Sequence, residues 1–238
     1  MTLVGVLGEL LITAGVLVLL FLGWQLWFNS LVIGNEQQDR AQELSESFSG
    51  GDEVVAAPAE RADPGDPDVG TAPAENETFG NLIVPRFGAD WKRPIAEGIG
   101  RHTVLDNIGV GHYPGTQMPG EVGNFAVAAH RNSHGDAFVD INKLQLGDPV
   151  YVETEDGWYR YIYRSTEYVL PTGVGVLEPV PQMEGAAPTD RILTLTSCNP
   201  EHSISERIIA YTVYDTWYPR EFGAPPEIAD LVQNSAAG

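Results

Sequence analysis

The sequence predicts an all-β domain, a closed barrel or a sandwich with few and short helices, preceded by a transmembrane helix and a disordered linker. Three observations predict this. From residue 79 onward, short alternating apolar runs are separated by Gly- and Pro-rich turns. Residues 10–33 carry no charged side chain. Between the two lies a stretch rich in Glu, Asp, Ala, Pro and Gly, too poor in apolar surface to build a core.

The apolar run 10–33 is dominated by Leu, Val, Ile, Phe and Trp. As a helix it would extend roughly 36 Å, enough to cross a bilayer. Trp24, Trp27 and Phe28 gather near its end, as interfacial aromatics do. No small-residue cleavage pattern follows closely, so residues 1–35 read as an uncleaved anchor. With Glu9 and Glu36 flanking the run and Arg40 beyond it, charge asymmetry assigns no orientation. Residues 36–78 read as an extended, self-repelling acidic linker, with a short helix over 36–48 compatible with its first part. Residues 79–222 hold the β-rich domain, long enough for one core. Residues 223–238 read as a tail.

Within the domain, residues 81–85 read as a strand, residues 91–94 as a loop and residues 109–120 as a Gly/Pro-punctuated loop. Residues 125–129 form a short apolar strand that ends at His130 and Arg131. Residues 148–155 and 158–168 alternate around Asp156-Gly157, a hairpin signal. Residues 192–197 read as a strand ending at Cys198, and residues 204–214 as another, carrying Arg207.

The formal net charge of −20 argues against a nucleic-acid-binding role. The single cysteine excludes an intrachain disulfide framework. The residues alone leave two readings of Cys198: a small buried hydrophobe, or a thiolate nucleophile favoured by its polar flanks and a nearby Arg. Thiol chemistry on an acyl group needs an ionised nucleophile, a proton donor for the leaving amine and a partner for the carbonyl oxygen. Cys198, His130 and Arg207 are the candidates for those roles.

Thr194-Leu195-Thr196-Ser197-Cys198, with Arg207 nine residues after the cysteine, resembles the catalytic segment of sortases. Ala129-His130-Arg131 is similar to the family's histidine motif, and residues 111–116 (Gly-His-Tyr-Pro-Gly-Thr) resemble a loop of class E sortases of actinobacteria. Ser197 departs from the usual Thr and keeps the hydroxyl. The resemblance covers residues 79–222 and implies a closed eight-stranded β-barrel. It also implies a cysteine transpeptidase that cleaves a C-terminal sorting signal, LAxTG or LPxTG in form, between Thr and Gly. The thioacyl intermediate then passes to a cell-wall precursor amine of the lipid II type, with the catalytic domain outside the cell. Thr196 and Tyr113 are the expected substrate-side residues.

Two other functional classes fit the residues less fully: a hydrolytic cysteine peptidase, and a non-catalytic envelope barrel that binds peptides. A wall transpeptidase with a Ser-His-Gly-Cys motif is disfavoured, because Asp136 follows Ser133-His134-Gly135. His130 and His134 lie four apart, but a strand end running into Gly135 gives weak helical spacing for zinc. Asp136, Asp140, Glu153 and Glu155 form no compact loop for calcium. No metal and no cofactor are expected.

Overall fold

The computed structural model describes residues 3–24, 28–50, 54–58 and 63–233. Trp27 of the aromatic cluster, Arg61 of the linker and the last five residues of the tail fall outside them. Eight strands close into a barrel: β1 (Thr78–Ile83), β2 (Lys92–Glu97), β3 (Val110–His112), β4 (Gly123–Ala129), β5 (Pro149–Glu153), β6 (Gly157–Val169), β7 (Arg191–Asn199) and β8 (Glu206–Pro219). Around the barrel the order is β1-β2-β3-β4-β7-β8-β6-β5, and β5 pairs back onto β1. The β2/β3 and β4/β7 pairs are parallel and the others antiparallel.

The interior follows from two-residue periodicity. Phe125, Val127 and Ala129 of β4, Leu193 and Leu195 of β7, and Ile208 and Ala210 of β8 all enter one core with Leu82, Ile95, Val110 and Val152. The alternate residues of those strands therefore face the opposite side of the sheet.

Two strands lie where the sequence reads as loop. β2 contains Pro94, whose missing N–H argues against a central strand. It is tolerated because the ladder with β3 begins only at Ile95. β3 is three residues long and sits inside the punctuated stretch. A Cβ at Gly111 would stand 2.4 Å from the Gly98 carbonyl oxygen, so the glycine permits strand contact there and is no turn signal.

The N-terminal region also departs from expectation. An apolar helix, α1 (Leu3–Gly23), has no buried residue. It starts earlier than the uncharged run, and residues 29–33 belong to a second helix, α2 (Asn29–Ser49). That helix ends at Gly50, whose left-handed backbone donates its N–H to the Ser47 carbonyl. Residues 36–49 are thus not linker. Gly34, Gln37, Ala41 and Ser45 form a buried stripe at helical spacing against the barrel. The stripe is small and polar, so hydropathy does not reveal it. Asn81 donates to the Ala41 carbonyl at 2.8 Å and to Ser45 Oγ at 3.0 Å. Residues 63–68 also touch the barrel: Tyr159 donates to the Asp68 carbonyl, and Asp66 pairs with Arg191. The tail is packed as well. Ala224, Ile228 and Val232 join Ile83, Tyr151 and Trp158 in a second apolar cluster, so the boundary at residue 222 does not hold.

Candidate active site

Strand register assembles the site. In the parallel β4/β7 pair Ala128 stands opposite Thr196, so His130, two residues on, follows beside Cys198. In the antiparallel β7/β8 pair Cys198 stands opposite Arg207. The order β4-β7-β8 then sets His130, Cys198 and Arg207 in one row across three adjacent strands. Cys198 and Arg207 alternate with the core residues Leu195 and Ile208 and so fall on the face away from the core, and His130 is the first residue past the end of β4. Cys198 is half-buried, not sealed in the interior.

Arg131 ties two of these strand ends together. It is buried, and its Nη1 donates to the Cys198 carbonyl at 3.4 Å and to Asn199 Oδ1. Ser197 Oγ donates to the Ala129 carbonyl at 2.8 Å, a second tie between the same strands. Arg207 Nη1 donates to the carbonyls of Ile204 and Glu206 at 3.0 and 2.9 Å, which fixes the guanidinium over the strand end. Tyr113 Oη lies 3.0 Å from Thr196 Oγ1, and Thr196 Oγ1 also donates to the Val127 carbonyl. The structure therefore brings Tyr113 and Thr196 together, two residues before Cys198 along β7.

Sequence reading missed Asp106. It follows the helical turn Arg101–Leu105, and its Oδ1 accepts from His130 Nε2 at 2.7 Å. Its other oxygen pairs with His102 Nδ1 at 2.8 Å. Burial pushes the Asp106 carboxyl up, but the hydrogen bonds from His130 and His102 outweigh it and hold the group below its ordinary range. Burial lowers His130 below the ordinary imidazole value, and Asp106 opposes that by stabilising the imidazolium. A lone acid 24 residues before the histidine carries no local sequence pattern; only the fold joins them.

His134 also reaches this cluster, its ring 5.4 Å from that of His130 and its Nδ1 3.5 Å from Asp106 Oδ1. Asp106, His130 and His134 offer three donor atoms within 4.8 Å of one another, a set able to hold a transition metal. The 2.7 Å carboxylate–imidazole contact is a hydrogen bond, shorter than the ~3.3 Å edge of a tetrahedral zinc site. The acidic residues weighed for calcium do not converge: Glu153 is buried against Ser45, Asn81 and Arg220, and Asp140 pairs with Lys143. His112 is fully buried on β3, 2.5 Å from Glu97, and is a satisfied interior histidine.

Comparison with known proteins decides the family. The sortase domain model matches residues 82–215. The chain belongs to the sortase family. Sortase SrtE1 of Streptomyces coelicolor is 37% identical over 225 residues, covering 92% of this sortase and 59% of that relative. This sortase therefore spans less than two thirds of that relative's length. Sortase SrtE2 of the same organism is 31% identical over 217 residues, 87% of this chain and 80% of that one. Among solved structures, the SrtA sortase from Actinomyces oris superposes with TM-score 0.66 at 38% identity, over 69% of this chain and 94% of its own. Sortase E1 from Streptomyces coelicolor, solved with a tripeptide in its active site, superposes with TM-score 0.60 at 40% identity, over 65% of this chain and 99% of its own.

Proposed function

We propose that this sortase is a membrane-anchored class E transpeptidase with Cys198, His130 and Arg207 as its catalytic residues. The placement of those three residues at the ends of three adjacent strands, with Cys198 opposite Arg207, carries the reading. Cys198 attacks as the thiolate on the Thr carbonyl of an LAxTG-type sorting signal. The Sγ–C bond forms, the Thr–Gly C–N bond breaks, and the His130 imidazolium protonates the leaving glycine amine. Arg207 hydrogen-bonds the carbonyl oxygen as charge develops there or the adjoining substrate backbone. An amine of a cell-wall precursor then attacks the thioester, the thiolate leaves, and neutral His130 takes the amine's proton. Asp106 holds His130 Nε2 and favours the imidazolium, leaving the other ring nitrogen for the proton transfer. Tyr113 and Thr196 line the signal-binding side. The exposed apolar helix α1, of membrane-spanning length, supports anchoring, with the barrel on the outer side.

The test is acyl-enzyme formation on an LAxTG peptide, followed by intact-protein mass spectrometry. Cys198→Ala abolishes the adduct; turnover at the wild-type level in that variant removes the nucleophile assignment. Product masses with and without an added glycine amine separate transfer from hydrolysis.

A further inference from the structure

The helix that follows the apolar segment reaches the back of the candidate active site. α2 starts six residues after α1 ends, and at Gln37 it meets two loops at once. Gln37 is fully buried. Its Nε2 donates to the His134 carbonyl at 3.0 Å. Its Oε1 lies where a Cβ at Gly135 would be 2.5 Å away and one at Gly109 3.1 Å away. Both glycines have left-handed φ, +92° and +123°, so the two loops come as close to Gln37 as a bare backbone allows. One loop, residues 106–109, begins with Asp106. The other, residues 132–136, carries His134. His130 sits between them, bonded to Asp106 and with its ring 5.4 Å from that of His134. One turn along α2, Arg40 Nη1 donates to the Asn107 carbonyl at 2.7 Å, and near its start Ser30 Oγ is 3.4 Å from Asp136 Oδ1.

Stability alone does not explain Gln37. Its buried Oε1 has no hydrogen-bond partner, a cost that an apolar side chain of similar size would avoid. What Gln supplies is a wedge of the right length with a donor at its tip.

We propose that Gln37 is a positioning residue for His130, acting by clamping the Asp106 and His134 loops from α2, so that docking of the helix next to the anchor sets the acylation rate. The proposal rests on the assignment of His130 as proton donor. The N-terminal helix thereby becomes part of the active-site framework as well as a tether.

The test uses the full chain in detergent micelles or nanodiscs and a quenched LAxTG peptide, with kcat and KM measured separately. Gln37→Met keeps the volume and removes the donor; Gln37→Ala removes both. Misplacing a catalytic group by a fraction of an ångström predicts a fall in kcat of ~10–100-fold for Gln37→Ala, a smaller fall for Gln37→Met, and an unchanged KM in both. Arg40→Ala, on the solvent side of the same contact, guards against a folding defect. It lowers kcat severalfold with KM and melting temperature unchanged. Equal kcat in wild type, Gln37→Met and Arg40→Ala overturns the proposal, whatever Gln37→Ala does. Failure of the underlying reading looks different: the wild type itself then forms no thioacyl adduct at Cys198.

Discussion

Replacing Asp106 with Asn isolates what the carboxylate does for His130. Asn has nearly the same size and still accepts from Nε2–H, so the geometry survives while the charge is lost. The contact is 2.7 Å long, and the two side chains are only 17% and 10% exposed, so water competes weakly for either partner. A hydrogen bond to a charged group in such a place is worth ~1.5–3 kcal/mol. The imidazolium loses that stabilisation, which at ~1.4 kcal/mol per decade is a ~10–150-fold smaller population of the proton donor. The sign follows from the local balance. Burial already lowers His130, and Asp106 is the main opposing influence. Without it the His130 pKa falls further, and less imidazolium is present at neutral pH. The expected result is a drop in kcat/KM of that order. The limb of the pH–rate profile that reports His130 also moves to lower pH. Initial rates on a quenched LAxTG peptide, with NMR titration of the imidazole resonances, measure both. If the profile of Asp106→Asn superimposes on that of the wild type, Asp106 does not support the imidazolium, and the 2.7 Å contact is structural only.

Tyr113→Phe removes the hydroxyl that meets Thr196 Oγ1, a bond worth ~0.5–1.5 kcal/mol net. Steady-state kinetics should show a higher KM for the signal peptide with kcat retained, and an unchanged KM would remove Tyr113 from the binding side. Far from the site, Arg86 forks onto Asp148 with contacts of 2.7 and 2.6 Å, and its hydrogen bonds hold the Asp148 carboxyl below its usual range. A depressed carboxyl contributes stability above the unfolded value of ~3.9 and loses it as pH falls through the folded value. The melting-temperature gap between wild type and Asp148→Asn should therefore be full at neutral pH and close in acid; a gap independent of pH contradicts this pairing.

The sequence shows some parts of this molecule readily and hides others for physical reasons. Strand β7 alternates cleanly, with Leu193 and Leu195 in the core and Thr194 and Thr196 on the other face, whereas β4 reads simply as apolar because Ala126 and Ala128 are buried as well as Phe125 and Val127. Cys198, His130 and Arg207 stood out because each chemistry-bearing side chain lies at or near a strand end in a recognisable pattern. β2 and β3 were hidden by Pro94 and Gly111, residues that signal loops unless the neighbouring strand tolerates them. The docked part of α2 was hidden because its buried stripe is Gly34, Gln37, Ala41 and Ser45, which no hydropathy pattern detects. Asp106 and Gln37 were invisible for a shared reason. Each meets a residue distant in the chain through a hydrogen bond that only the folded loops bring into range.

The row formed by His130, Cys198 and Arg207 depends on register, and register is held from both faces of the sheet. A slip of one residue in β7 would turn Cys198 toward the core and Leu195 outward. On the inner face, Leu193 and Leu195 are fully buried in the core, and a slip would put threonine hydroxyls in their place. On the other face, Thr194 Oγ1 donates to Asn124 Oδ1 at 2.7 Å and Thr196 Oγ1 to the Val127 carbonyl at 3.1 Å. Those hydroxyls are buried and hydrogen-bonded, so a slip would also break their pairing and leave unpaired polar groups. The Thr-Leu-Thr run before the cysteine thus has a structural meaning independent of family. Leucines index the strand from inside and threonines from outside, and together they deliver the thiol to its place beside the imidazole.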